Sequence, residues 1–195
     1  MTSAALRGPR GADPHRAVLH PARLALPARV GIDAESLLGA ALPIYRSALQ
    51  CAWTADTAHA AYRDQFAAGN PTGQCGVSSA WLVHRLYADF GIAGTYCYGS
   101  LAIGDPAEVM IARHCWVELS CAAVVYVIDL TADQAPGFNE RIIFGPKGRL
   151  LSDEHLHYDA RMRKGRQELI DDDVWPRVVT LNDGLVSLSG GTART

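Results

Sequence analysis

Three residues of the 195-residue chain have types and an order suited to acyl transfer: Cys75, His114 and Asp129. Cys75 lies in Gly73-Gln74-Cys75-Gly76-Val77-Ser78-Ser79-Ala80-Trp81-Leu82, where a small-residue turn (Asn70 to Gln74) runs into an apolar helical pattern. It therefore falls at or beside the first turn of a helix. Unpaired backbone N–H groups there favour thiolate over thiol. Arg113-His114-Cys115-Trp116-Val117-Glu118-Leu119 puts a histidine on a strand-like run, and Val127-Ile128-Asp129-Leu130-Thr131 puts an aspartate at the end of another. A nucleophile, a base and a carboxylate to orient the base are the parts of a cysteine-based triad. Backbone N–H groups around Cys75 are candidate oxyanion donors, with Gln74, Gln134 and Trp53 as further oxyanion or substrate-binding candidates.

The elements that must position these residues follow from periodicity. Asp33 or Ser36 can cap a helix carrying Leu37, Leu38, Leu42, Tyr45 and Leu49, which Pro43 is expected to break in two. A second, alanine-rich helix is expected over Asp56 to Ala68, with Tyr62 and Phe66 on one face. The helix opened near Cys75 runs to about Phe90 and stops at Gly91. Alternating patterns then predict strands over Thr95–Ile103, Ile111–Leu119 and Val124–Leu130, with a short one at Ile142 to Phe144. From Tyr158 to about Asn182 the charged pattern reads as helical, interrupted by Gly165 and Pro176. Helices followed by consecutive strands imply an α+β fold with helices packed on an antiparallel sheet.

A hairpin between the second and third strands brings two of the three residues together. If Leu119 pairs with Val124 across a four-residue loop, His114 pairs with Asp129, because both pairs sum to the same number. Opposed residues share a face, with Cβ atoms about 4.5–5.5 Å apart. Trp116 then faces Val127, and Glu118 faces Val125. Cys115, Val117 and Leu119 occupy the other, apolar face with Ile128, Tyr126 and Val124. Glu118 needs solvent or a cationic partner, since an unpaired buried carboxylate is costly.

Composition sets bounds. Formal net charge is −2, and nearly half the residues are apolar. No run reaches the ~18 apolar residues of a membrane span, so no membrane role is implied, and the charge implies no nucleic-acid partner. Residues 1–30 carry five arginines, four prolines and one acid, Asp13; they read as a disordered or loosely docked basic arm. One catalytic domain is expected over 31–187, with a frayed tail over 188–195. The five cysteines (Cys51, Cys75, Cys97, Cys115, Cys121) are odd in number and contain no C-x-x-C pair. They suggest a reduced, cytoplasmic protein without a structural zinc. Apart from Cys75 they read as small apolar residues, and His59, His84, His155 and His157 lack any motif.

These residues resemble the transglutaminase-like and papain-like cysteine enzyme superfamily. His-Cys-Trp-Val-Glu-Leu is similar to its His-x-Trp-x-Glu segment, and Ile-Asp-Leu-Thr to its strand ending in Asp-x-Thr. Pro71-Thr72-Gly73-Gln74-Cys75 together with Ile128 to Gln134 is similar to the bacterial YunG-like proteins, over roughly residues 35–185. Gly76 and Cys115 depart from the usual pattern. The resemblance implies Cys75 as nucleophile, His114 as base and Asp129 as its orienting partner; no cofactor is implied, because nucleophile and base are both protein groups, and no metal, because His114 and Cys115, adjacent on a strand, cannot easily share one ion. It implies a small-molecule or peptide acyl substrate carried as an amide, ester or thioester. The acyl-enzyme would be resolved by water, or by an amine acceptor in an amide-forming enzyme. A binding module on the same fold is the reading from a different class.

Overall fold

The computed structural model describes residues 33–191, so the basic arm expected over 1–30 lies outside the described residues. The elements in order are α1 (Ala34–Ala52), a 3-10 turn (Ala60–Gln65), α2 (Cys75–Phe90), β1 (Thr95–Ile103), β2 (Val109–Cys121) and β3 (Val124–Asp129). A short 3-10 turn (Ala132–Gln134), β4 (Ile143–Pro146), α3 (Lys147–Glu154), β5 (Leu156–Lys164), α4 (Arg166–Ile170) and α5 (Trp175–Gly191) follow. The fold is α+β. Its five strands form one open antiparallel sheet in the order β4-β3-β2-β1-β5.

Helices α1, α2 and α5 cover one face of this sheet, burying Leu42, Leu49, Trp81, Leu86 and Leu181 with Val117 and Ile128. On the other face Trp116, Val127, Leu101 and Tyr158 pack with Leu150 of α3. Burying a large apolar side chain stabilises by about 1.5–3 kcal/mol. Val77, Trp81, Leu82, Val83 and Leu86 are all buried along α2, so their packing fixes how that helix, and Cys75 at its head, sits on the sheet. Gly91 ends α2 in the left-handed conformation, at φ 71°, with its N–H and that of Ile92 donating to Tyr87 and Leu86, a glycine C-terminal stop.

Three local expectations are corrected. Helix α1 is continuous through Pro43, with Asp33 capping Ser36 N–H at 2.9 Å. Pro43 and Gly39, the residue four before it, both lie on the exposed side, so the carbonyl that proline cannot bond faces solvent rather than the core. Residues 56–68 form no α-helix but the exposed 3-10 turn at Ala60–Gln65. That excursion closes on itself: His59 N–H donates to Gly73 O at 2.9 Å, and Gly73 takes φ 78° with no room for a Cβ against Tyr62. Residues 156–164 are a fifth strand rather than a helix. Leu156 and Tyr158 point into the core while His157 and Asp159 are exposed, which is a period of two. Helix α5 runs through Gly191, and the rest of the tail expected over 188–195 lies outside the described residues.

The β2–β3 hairpin is tighter than expected. Cys121 pairs with Val124 across Ala122-Ala123, and Ala122 takes φ 52°. Glu118 therefore opposes Val127, and Leu119 opposes Tyr126, a shift of two residues from the expected register. A shift of two preserves the face of every side chain. Trp116 and Val127 stay on one face, and Cys115, Val117 and Ile128 on the other, as expected.

Gly99 sits at the bend of the sheet. It pairs with His114 on one side and Ala160 on the other, and the ladders are irregular on both sides of it. Between Ile111 and His114, β2 carries one more residue than β1 opposite. Such a bulge re-aims the side chains beside it. A Cβ on Gly99 would stand 1.9 Å from Asp159 O, so only glycine permits this approach.

Candidate active site

The centre of the site is His114, fully buried at the bulge of β2. Its Nε2 lies 2.5 Å from Asp129 Oδ2. Asp129 ends β3 and is also fully buried. The shifted register makes the two diagonal rather than directly opposed, and the side chains meet across that diagonal. Asp129 accepts three more hydrogen bonds: Oδ1 takes Thr131 N–H at 2.8 Å and Thr131 Oγ1 at 3.1 Å, and Oδ2 takes the Tyr158 hydroxyl at 3.0 Å. Burial works to raise this carboxyl's pKa, but the His114 charge and these donors outweigh it and hold it below the usual range. The His114 ring stacks on Trp116 at 6.2 Å, and Trp116 packs on Tyr158 at 5.1 Å.

With Nε2 given to Asp129, Nδ1 faces the rest of the site. Gln134 Nε2 is 2.5 Å from it. Cys75, the first residue of α2, is half-buried and interacts with His114 and Gln134. The first intrahelical bond of α2 is Ser78 N–H to Gln74 O, so the N–H groups of Cys75, Gly76 and Val77 precede the helical ladder. The Cys75 thiol is held well below the ordinary range, first by a hydrogen bond from Cys115, against burial, and then by His114. Burial tends to lower the His114 pKa, but Asp129 and Cys75 overcome it and raise it to about 10. Both shifts favour a thiolate–imidazolium pair.

Of the further donors expected from sequence, the structure brings Gln134 to the site and not the other two. Gln74 is fully buried; its Oε1 accepts from Thr57 Oγ1 at 2.9 Å and its Nε2 donates to Thr54 O at 3.1 Å. Trp53 donates its indole N–H to Ser78 Oγ at 3.0 Å. Both side chains tie the start of α2 to the end of α1, which fixes where Cys75 sits.

Several contributors escaped sequence reading. Tyr158 was hidden by the misassigned β5, although the alternation of Leu156, Tyr158 and Ala160 signals a strand. Arg46, buried on α1, donates to Leu130 O at 2.5 Å and pairs with both carboxylate oxygens of Asp133 at 2.8 and 2.7 Å. It clamps the loop that carries Gln134. Cys115 is not mere filler: its thiol touches that of Cys75, and the Tyr96 hydroxyl lies 2.9 Å from its Sγ. The expectation that Cys51 and Cys121 are small buried residues fails, since both are exposed. Glu118 has its cations, Lys147 at 2.7 Å and Arg163 at 3.2 Å. His84 packs on Trp175 in the interior, where burial and the Arg166 charge lower its pKa to about 4.

Among the described residues no helix is long and apolar enough to cross a membrane, and no three His, Cys, Asp or Glu side chains are grouped to hold a metal ion. Compared with protein-family models, with curated proteins and with solved structures, the chain gives no match.

Proposed function

We propose that this protein is a cysteine-nucleophile acyl-transfer enzyme on a transglutaminase-like core, acting on an amide, ester or thioester. The observation that carries this reading is the continuous contact from half-buried Cys75 through His114 to Asp129. Only the nucleophile of the three meets solvent, which suits a group that must meet a substrate. In this reading the Cys75 thiolate attacks the acyl carbon. The oxyanion is stabilised by first-turn N–H groups of α2 and the Gln134 amide. His114 Nδ1 returns a proton to the leaving group, and Asp129 holds the ring and steadies its charge. Water or an amine then resolves the acyl-enzyme.

A panel of activated esters and thioesters with small acyl, aminoacyl and peptidyl groups tests this. Intact-mass spectrometry and peptide mapping should find an acyl adduct on Cys75 that discharges with time and is absent from Cys75→Ala. Failure of every probe to acylate Cys75, or acylation confined to the exposed Cys51 and Cys121, would overturn the reading.

The pKa shifts also set a pH window. The thiolate is present above the lowered Cys75 pKa, and the imidazolium is present below the raised His114 pKa, about 10. The reactive pair therefore fills the range between. The acylation rate should be flat through neutrality and fall as pH rises toward about 10. A rate that climbs tenfold per pH unit up to about 8.5, as for an ordinary thiol, would show that no such pair exists.

A further inference from the structure

We propose that Cys75 and Cys115 form a reversible disulfide when a hydroperoxide oxidises the site, so that the nucleophile is protected from irreversible oxidation. The inference needs a reactive thiolate at Cys75 and stands whether or not that thiolate goes on to transfer acyl groups.

The geometry separates this pair from the other cysteines. Cys75 heads α2, and Cys115 lies on the face of β2 that α2 covers. Their thiols are in contact. A Cβ built on Gly76, the residue after Cys75, would stand 3.8 Å from Cys115 Sγ, so that sulfur lies against the first turn of α2. Cys97 is buried in the cluster on the opposite face, and burial pushes its thiol up to about 12. Cys51 ends α1 and Cys121 ends β2, both exposed. Cys75 meets solvent in part, whereas Cys115 is 5% exposed. Of the two residues Cys75 is the nearer to solvent, so an oxidant meets it first and Cys115 answers from inside.

The chemistry balances in two steps. The Cys75 thiolate attacks one peroxide oxygen, the O–O bond breaks, and Cys75 becomes a sulfenic acid as the hydroperoxide is reduced by two electrons. Cys115 sulfur then attacks Cys75 sulfur. The S–O bond breaks, and the departing hydroxide takes the Cys115 proton and leaves as water. Its hydrogen bond to Cys75, and then burial, keep Cys115 in the thiol form beforehand, so Cys75 is oxidised first. The resulting disulfide leaves His114 and Asp129 in place but removes the nucleophile until a thiol reductant restores it.

The test uses the full chain treated with hydrogen peroxide, quenched by alkylation and mapped by mass spectrometry. A linked Cys75–Cys115 peptide should appear, and dithiothreitol should restore alkylation of both residues. In Cys115→Ser, Cys75 should pass on to the sulfinic acid and alkylation should not recover. Wild-type protein that accumulates Cys75 sulfinic acid with Cys115 still reduced would overturn the proposal. So would a Cys75 disulfide to Cys51, Cys97 or Cys121. Because the wild-type map decides by itself, poor folding of Cys115→Ser would leave the conclusion intact.

Discussion

Replacing His114 with alanine is expected to lower turnover by about 10²–10⁴-fold, the range a positioned acid–base group contributes. The loss has two parts. Without the imidazolium the Cys75 thiolate keeps the Cys115 hydrogen bond but loses its counter-charge, so the midpoint of its alkylation–pH profile should move up. The leaving group also loses its proton donor, which slows acylation even where thiolate is plentiful. The fold should survive, because Asp129 keeps the bonds from Thr131 and Tyr158 when His114 is gone. Thermal melting checks this last point, and single-turnover acylation checks the first two. Asp129→Asn should have a smaller effect, since it disturbs the ring without removing it. Undiminished acylation by His114→Ala would remove the histidine from the mechanism.

Gly99→Ala is expected to destabilise the protein by more than about 3 kcal/mol, the upper end for overpacking. Most overpacked side chains escape by changing rotamer, but here the clash is a Cβ against backbone, 1.9 Å from Asp159 O. No rotamer relieves it, so β1 and β5 must separate. The melting temperature should fall by roughly 6–12 °C at about 2–4 °C per kcal/mol. Separation would also draw Tyr158 of β5 away from Asp129, so faster amide exchange in 156–164 and a slower acylation rate should appear together. An unchanged melting temperature would mean that the strands pass each other differently.

The order of the three candidate residues was readable before the fold was. A small-residue turn ahead of an apolar helix marks Cys75, and alternation around His114 and Asp129 marks two strands on which the pair shares a face. The register between those strands was not readable, because the pair Ala122-Ala123 carries no glycine or asparagine to signal a two-residue turn, yet Ala122 adopts a positive φ. The face assignment nonetheless held, since the error was an even number of residues. Strand β5 was missed because its exposed positions are charged, and charge density hid the alternation of its core side. Pro43 misled for a related reason: a proline on the wet side of a helix leaves the unbonded carbonyl facing solvent rather than the core. Long-range contacts, such as Arg46 with Asp133 or Gln74 with Thr57, leave no local pattern at all.

The excursion between His59 and Gly73 closes on itself just ahead of Cys75. Cys75 is located by Gln74, Thr54, Thr57 and Trp53, all of which lie outside that excursion. The His59–Gly73 bond seals its base, so the stretch around Ala67 and Ala68, exposed at its tip, can lengthen or change character without moving the nucleophile. Sequence change can therefore accumulate here at little cost to the placement of Cys75. The same stretch is where an inserted segment would be tolerated while the contacts among Cys75, His114 and Asp129 stay as they are.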